Sequence, residues 1–158
     1  MSIMKKLSID KEGITTEDIG YKIAPLINAV GRIGDPKVII DLLTNESTKC
    51  IDKLIKECFS MHRERKRLTT LIEQEALEIA QSQYNENRKF LVLSKREWHP
   101  GIIGIVAARF VDKFNLPTAI LAIANDGNFR GSIRSNNRLK VIRALDECID
   151  LLIAHGGH

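Results

Sequence analysis

One tract of the sequence combines residue types that bind anions. Between Phe129 and Arg143 the chain carries five basic residues and no acidic residue, and the centre of this tract reads Gly131-Ser132-Ile133-Arg134-Ser135. A glycine lets the backbone approach an anion closely, and a serine hydroxyl donates a hydrogen bond to its oxygens. Arginine adds a planar, permanently charged group that matches phosphate oxygens. The tract therefore predicts a phosphate-binding site.

A second motif, Trp98-His99-Pro100-Gly101-Ile102-Ile103-Gly104, joins a predicted strand to a predicted helix. Such a junction is expected to leave free N–H groups and the positive end of a helix dipole at the carboxyl edge of the sheet. Trp98 and His99 can stack on a base or donate to a phosphate. The alternative is that Gly101 and Gly104 are small only because the helix packs tightly on the sheet. The two interpretations do not exclude each other.

Two shorter patterns hold further candidate residues, and each has a simple structural explanation. Asn28 and Arg32 lie among small and apolar residues, which by themselves would indicate a turn with one surface arginine. The sequence Gly156-Gly157-His158 would by itself indicate a helix cap or a tail. The G-x-x-G pattern from Gly101 to Gly104 is only weakly similar to a KH loop, because its variable positions are isoleucines.

Several catalytic chemistries find no support in the sequence. His62-Arg63-Glu64 resembles the H-x-E of zinc deaminases, but the chain has no P-C-x-x-C, so this charged run is interpreted as a solvated helix face with little packing. The acidic residues from Asp146 to Asp150 have no histidine pair beside them, so no metal site is predicted. The three cysteines show no C-x-x-C spacing, which indicates reduced thiols.

The hydrophobic pattern predicts three regions that position these motifs. Residues 1–46 form an interdomain segment, irregular up to Gly34 and followed by a short helix that begins at Asp35-Pro36. Residues 47–85 form one long connecting helix, since no glycine or proline interrupts their helical periodicity. Residues 86–158 form an α/β domain with strands at 89–94, 118–124 and 129–135 and helices at 101–114 and 139–152. A turn at 125–128 makes the last two strands antiparallel.

Composition narrows the class of protein. The 158 residues are 44% hydrophobic and 28% charged, as in a globular domain. No apolar run is long enough to span a bilayer and the start lacks a signal peptide, so a cytoplasmic location with no membrane partner is predicted. The net charge is +4, and the whole excess of basic over acidic residues lies after residue 85. This excess is compatible with a polyanionic partner without requiring one.

Taken in their order along the chain, four motifs resemble the RecJ family, the single-strand-specific 5′-to-3′ DNA exonucleases of the DHH phosphoesterase superfamily. They are Asn28-Ala29-x-Gly31-Arg32, Trp98-His99-x-Gly101-Ile102-Ile103-Gly104-Ile105-Val106-Ala107, Gly131-Ser132-x-Arg134-Ser135 and Gly156-Gly157-His158. The resemblance includes Arg63-Glu64-Arg65 but departs at His62, where the family usually has asparagine. It implies the carboxyl-terminal portion of a catalytic core, in which a long connecting helix precedes a DHH-associated domain with a mixed sheet flanked by helices.

The resemblance also implies roles for individual residues. The terminal 5′-phosphate of single-stranded DNA would be held by Arg32, Ser132 and Arg134. A wall beside the scissile bond would be formed by Trp98, His99 and Gly101. A glycine-rich motif that contacts substrate phosphate would comprise Gly156, Gly157 and His158. The substrate-binding set is completed by Asn28 and Gly131, and the candidate contributors to catalysis are His99 and His158.

The resemblance implies Mn²⁺ or Mg²⁺ in the full-length enzyme, held by an N-terminal DHH domain. That domain's motifs are missing from the sequence, so the chain is expected to bind no cofactor and to be an inactive, C-terminally truncated fragment. Its partners would be single-stranded DNA and the missing domain, in DNA repair and recombination, and its exposed long helix would favour a homo-oligomer. Two alternatives stay open: a stand-alone nucleic-acid-binding module, and part of a DHH-type phosphoesterase acting on oligonucleotides or mononucleotides.

Overall fold

The computed structural model describes residues 3–10, 12–83, 87–124, 126–136 and 139–157. They form two compact units, Met1–Leu68 and Thr69–His158. The helices are Ile3–Lys6 (α1), Ala24–Ile33 (α2), Lys37–Thr44 (α3), Thr48–Gln83 (α4), Pro100–Phe114 (α5) and Val141–Asp146 (α6). The strands are Leu91–Arg96 (β1), Thr118–Ile123 (β2) and Phe129–Arg134 (β3). A π-helical segment, Asp18–Ile23, precedes α2, and a 3₁₀ turn, Ile149–Leu151, follows α6.

The first unit is built around an apolar core shared by α2, α3 and the first half of α4. Its buried members are Leu26, Val30, Leu42, Ile55 and Cys58. Because Leu26 and Val30 are four residues apart, they lie on one face of α2. The opposite face of this helix is exposed and presents Asn28 and Arg32.

The prediction that the chain before Gly34 is irregular is wrong for residues 24–33. Helix α2 forms there because Pro25 occupies the first turn, where a missing amide hydrogen breaks no helical hydrogen bond. Burial of its apolar face offsets the cost of about 1 kcal/mol that Gly31 imposes on a helix interior. The predicted short helix after it is confirmed as α3, and the Asp35 carboxylate accepts a hydrogen bond of 2.9 Å from the Lys37 amide.

The predicted long helix is confirmed as α4, which has 36 residues and a length of about 54 Å. Its middle is less solvated than predicted, because His62 is half-buried and its Nδ1 lies 3.2 Å from the carbonyl oxygen of Pro25. The exposed pair Arg67 and Glu64 does fit a solvated face. Within the described ranges no helix, α4 included, combines the length and the apolar character needed to cross a bilayer.

The second unit holds a three-stranded mixed sheet in the order β1-β2-β3, which confirms the predicted fold class. Strands β1 and β2 are parallel and joined through α5, whereas β2 and β3 are antiparallel. The predicted turn between β2 and β3 contains Gly127 with a φ of 83° and Asp126, whose carboxylate accepts from the Asn128 amide. Asn125 lies outside the described residues.

Two helices pack on this sheet or beside it. Helix α5 buries six side chains and packs on β2 and β3, its buried residues being Ile102, Ile103, Val106, Ala107, Phe110 and Val111. The second half of α4 buries one stripe at helical spacing, Thr69, Ile72, Ala76 and Ala80. Ion pairs fix its position, since Glu75 binds Lys95 of β1 and Glu73 binds Arg109 of α5.

The last predicted helix, 139–152, is wrong in length. Helix α6 ends at Asp146, and no residue of the predicted apolar face is buried: Ile149 is 58% exposed. A short helix depends on packing of its apolar face, and this face is only partly covered: Val141 and Leu145 are half-buried, whereas Ile142 and Ile149 are exposed. Asn137 and Arg138, just before it, lie outside the described residues.

Replacing His62 with asparagine tests the hydrogen bond to Pro25. Burial lowers the pKa of the His62 imidazole below its ordinary value of about 6.5, so the unfolded chain binds this proton more readily than the folded chain. The stability of the first unit should therefore decrease as the pH falls below about 6.5. An asparagine amide can donate to the same carbonyl without titrating, so His62→Asn should remove this part of the pH dependence.

Urea unfolding at about pH 8 and about pH 5.5 measures both effects. His62→Leu serves as the control without a donor, and we expect it to lose about 1–3 kcal/mol at either pH because the Pro25 carbonyl is left unpaired. Identical pH dependence in the unchanged chain and in His62→Asn would contradict the assignment.

Candidate functional site

The start of helix α5 is capped by the side chain of His99. Its Nδ1 accepts a hydrogen bond of 3.1 Å from the Gly101 amide, and its carbonyl oxygen accepts from the amides of Ile102 and Ile103 at 2.9 and 3.3 Å. Pro100 has no amide hydrogen. The prediction of free N–H groups at this junction is therefore wrong, because the chain itself uses every donor of the first turn.

The cap leaves one donor on the His99 ring. Since Nδ1 accepts a hydrogen bond, the neutral imidazole carries its proton on Nε2. The side chain is half-buried, so this second nitrogen is the atom by which His99 can reach a ligand. The Gly101 amide is engaged, so Gly101 can contribute only by its small size.

Trp98 is held inside the second unit. Its ring is 4% exposed, and its Nε1–H donates to Oε2 of Glu75 at 2.7 Å. The residue before it, Glu97, has a φ of 69°, a left-handed conformation that costs about 1–2 kcal/mol in a residue with a side chain. The predicted stacking of Trp98 on a base therefore has little exposed surface to use, and its indole positions the loop.

Glu75 is a residue that the sequence motifs did not indicate. Its other carboxylate oxygen, Oε1, accepts a hydrogen bond of 2.7 Å from Nζ of Lys95. The hydrogen bonds from Lys95, first, and from Trp98 hold the pKa of this carboxyl below its ordinary value. The signal in the sequence was its place in α4 between Ile72 and Ala76, on the edge of the buried stripe.

Ser132 and Arg134 are brought together above helix α5. A Cβ atom placed on Gly104 would lie 3.0 Å from Oγ of Ser132 and 3.4 Å from Nη2 of Arg134. Both residues point to the same side of β3 because side chains two apart in a strand share a face. Arg134 is exposed, and its Nη1 donates to the carbonyl oxygen of Ile133 at 2.8 Å. A hydroxyl and a guanidinium thus meet at one surface point, as anion binding requires.

Gly131 has a packing role on the opposite face of β3. It is paired with Leu121 of β2, and a Cβ atom at position 131 would lie 2.6 Å from Cδ2 of Leu121. No larger residue fits without moving that leucine. The sheet thus offers a packing reason for the glycine, and close approach of Gly131 to an anion stays a prediction.

Asn28 and Arg32 border a cavity in the first unit. They are one helical turn apart on the exposed face of α2, and the cavity has a volume of about 530 Å³. The other lining residues are a glycine and four apolar residues. The full lining is Ile27, Asn28, Gly31, Arg32, Pro36, Ile39 and Ile40. Arg32 belongs to the first unit and Ser132 and Arg134 to the second, so their joint action on one phosphate stays a prediction.

The end of the chain carries the remaining predicted residues. Gly156 and Gly157 are exposed, and they follow His155, whose Nε2 lies 2.7 Å from Oδ1 of Asp146. His158 lies outside the described residues. Among the residues that the structure does describe, no group of three or more histidine, cysteine or acidic side chains is placed to hold a metal ion.

Comparison with known proteins identifies the class to which the second unit belongs. Residues 87–158 match the DHHA1 domain. Over most of its length the chain is also similar to the single-stranded-DNA-specific exonuclease RecJ. RecJ of Bacillus subtilis strain 168 is 34% identical over 143 residues, which cover 90% of this chain and 18% of that protein. RecJ of Thermus thermophilus is 32% identical over 141 residues, 89% of this chain and 20% of that protein.

Solved structures agree with this match. The crystal structure of Thermus thermophilus RecJ in complex with Mn²⁺ superposes with a TM-score of 0.83 at 27% identity, covering 99% of this chain and 22% of that one. A second structure of RecJ bound to manganese gives a TM-score of 0.77 at 28% identity, covering 91% of this chain and 35% of that one. The predicted resemblance is confirmed, and the chain spans about a fifth of the length of the two relatives above.

Removing the Glu75 carboxylate should release Trp98. In Glu75→Ala the buried indole N–H has no acceptor, which should cost about 1–3 kcal/mol of unfolding free energy. Trp98 is the chain's one tryptophan, so its fluorescence reports this loop alone, and the emission should shift to longer wavelength.

Glu78→Ala is the matched control, because Glu78 lies one turn further along α4 and is exposed. It should leave both the emission and the unfolding free energy unchanged within about 0.5 kcal/mol. An emission spectrum of Glu75→Ala that matches the unchanged chain would show that Glu75 does not hold Trp98.

Proposed function

We propose that this chain is the substrate-binding part of a RecJ-like 5′-to-3′ single-stranded-DNA exonuclease. In this role it holds the terminal 5′-phosphate of the strand with Ser132 and Arg134, and with Arg32 of the first unit. Asn28, His99 and Gly101, with Gly156 and Gly157, complete the proposed substrate-binding surface. A role in DNA repair and recombination belongs to the same proposal.

One observation carries the proposal. Ser132 and Arg134 converge above Gly104, on a strand with exposed residues at the rim of the sheet. A charge-assisted hydrogen bond from a guanidinium is about twice as strong as a neutral one, and the serine hydroxyl adds a second donor. The similarity to exonucleases named for single-stranded DNA supports a nucleic-acid phosphate as the anion.

The proposed phosphate site also gives a reason for the orientation of the bound strand. A terminal phosphate monoester carries about −1.5 to −2 charges near pH 7, whereas an internal phosphodiester carries one. A guanidinium therefore binds the chain end more strongly than any internal phosphate. A monoester end is therefore held in preference to an internal phosphate, and a strand phosphorylated at its 5′ end is oriented with that end in the site.

Hydrolysis itself falls outside what this chain's described residues can do. RecJ structures similar to this chain contain Mn²⁺ or Mg²⁺. The described residues do not fit such an ion, since they offer no cluster of metal-ligating side chains. We therefore propose that the metal-binding DHH domain is supplied outside this sequence, and that the chain alone binds DNA without cleaving it.

Binding to 5′-phosphorylated and unphosphorylated oligonucleotides tests the proposal. Fluorescence anisotropy at low salt should show tighter binding of the phosphorylated strand, by about 10- to 100-fold for one charge-assisted contact. Arg134→Ala should abolish this preference. Arg143→Ala, which removes an exposed arginine of the same basic tract, should weaken both strands equally and keep the preference.

Equal binding of the two strands by the unchanged chain would contradict the proposed function and favour a general nucleic-acid-binding module. Tight binding of a phosphorylated mononucleotide, with no gain from a longer strand, would favour a phosphoesterase for short substrates. Both alternatives therefore have their own outcome in the same titration.

Adding a methyl group at position 104 tests the geometry rather than the charge. In Gly104→Ala the new Cβ would lie 3.0 Å from Oγ of Ser132, so the serine and Arg134 must move apart or outward. We expect the 5′-phosphate preference to fall at least about 5-fold, because charge-assisted hydrogen bonds depend on distance. Gly20→Ala is the control, since no atom lies within 4 Å of a Cβ placed there. An unchanged preference in Gly104→Ala would place the anion elsewhere.

A further inference from the structure

A small pocket lies at the carboxyl edge of the parallel strands β1 and β2. Its volume is about 240 Å³, and we call it the edge pocket. Its lining residues are Trp98, Pro100, Ala122, Ile123, Ala124 and Arg130. Ligands of open α/β sheets bind at this edge. Arg130 belongs to the basic tract between Phe129 and Arg143, but none of the shorter motifs includes it or the alanines at the end of β2.

The donors that reach the edge pocket are few. The amides of the first turn of α5 are consumed by the His99 cap, and the Trp98 N–H is bound to Glu75. The side chain of Arg130 is exposed, and within the described residues its guanidinium makes no hydrogen bond. The pocket therefore offers apolar walls and one planar, charged group.

A free phosphate fits this combination poorly. The charge of Arg130 is partly balanced by Asp126, whose pKa is held below its ordinary value mainly by the Asn128 amide and in smaller part by this arginine. The nearby Asp126 carboxylate weakens the attraction of Arg130 for an anion, and the amides of the first turn of α5 are already engaged. A flat, neutral ring with hydrogen-bond acceptors on its edge fits better, because guanidinium planes and apolar side chains stack on nucleobases.

The edge pocket and the proposed phosphate site both use residues of strand β3. Arg130, Ser132 and Arg134 alternate along β3, so all three lie on the face that α5 covers. At about 3.3 Å per residue, the backbone of Arg130 is about 7 Å from that of Ser132. A base in the edge pocket and a phosphate on Ser132 can therefore belong to neighbouring parts of one strand.

We propose that the edge pocket binds one nucleobase of the single strand whose 5′-phosphate is held by Ser132 and Arg134. This inference rests on the proposed function, since it adds a base site beside the proposed phosphate site. The base lies against Pro100 and the alanine methyl groups, and the guanidinium of Arg130 covers its exposed face. Because every base has a flat face, the site selects single strands without selecting a sequence.

A scan with abasic residues locates the base. Oligonucleotides with a 5′-phosphate and a 3′-fluorophore carry one abasic residue at the first, second, third or fourth position. Loss of the base that occupies the edge pocket should weaken binding by about 5- to 150-fold, the range known for stacked bases, whereas the other positions should matter less. Equal affinity for the intact strand and all four abasic strands would overturn the proposal.

Substitutions that fill the edge pocket test whether the abasic scan reports on this pocket. Ala124→Leu adds bulk at a half-buried position of the edge pocket, so the intact strand should bind as weakly as the abasic one. Arg130→Gln should reduce the abasic effect at the same position. Ala108→Leu and Arg63→Gln, at exposed sites on helices, are the size and charge controls and should behave as the unchanged chain.

The two proposals fail in different ways. If the Ala124→Leu variant still binds the intact strand more tightly than the abasic strand, the base site is overturned, even if the 5′-phosphate preference persists. The proposed function fails if the unchanged chain shows no such preference. Absence of any binding to single-stranded DNA would overturn both.

Discussion

The candidate site depends on how closely helix α5 approaches strand β3. Position 104 has no side chain at this contact: a Cβ atom there would lie 3.0 Å from Oγ of Ser132 and 3.4 Å from Nη2 of Arg134, so it would crowd both groups. The same surface of α5 is apolar and buried on both sides of that point, by Ile103 and Ala107. Apolar packing between α5 and β3 therefore positions Ser132 and Arg134, because the apolar residues of α5 beside Gly104 are buried.

The start of α5 is fixed by a second contact that involves no substrate. Glu75 binds the indole of Trp98 and the ammonium of Lys95, so α4 holds both the end of β1 and the loop that follows it. That loop contains the left-handed residue Glu97, an unfavourable conformation that persists where the surroundings determine it. His99, which caps α5, is the next residue after Trp98. The Glu75 carboxylate of α4 therefore helps to position the cap by holding the residue before it.

Regular elements were predictable because their signals are local. The strands and helix α5 follow from short apolar runs and turn residues, and α4 from an uninterrupted helical period. Helix α2 was missed because Pro25 and Gly31 resemble breakers until their positions in the helix and the buried face of Leu26 are known. The convergence of Ser132 and Arg134 was indicated by their types, but the contact with Gly104 joins segments about thirty residues apart. The place of Glu75 beside the buried stripe of α4 was a local signal, but its partners could not be predicted from local pattern, since they lie 20 and 23 residues away.

The His99 cap changes the kind of anion site that this fold provides. An uncapped helix start binds phosphate through several backbone amides, and no single side-chain substitution removes such a site. Here the amides are engaged, so the proposed anion site consists of side chains on β3. A site of this kind depends strongly on one guanidinium and weakens with salt. The hydroxyl and the guanidinium of the proposed site lie beside Gly104, where a Cβ atom would crowd both of them. In this proposal, selection of a strand end depends on the charge of Arg134 and on the small residue beside it.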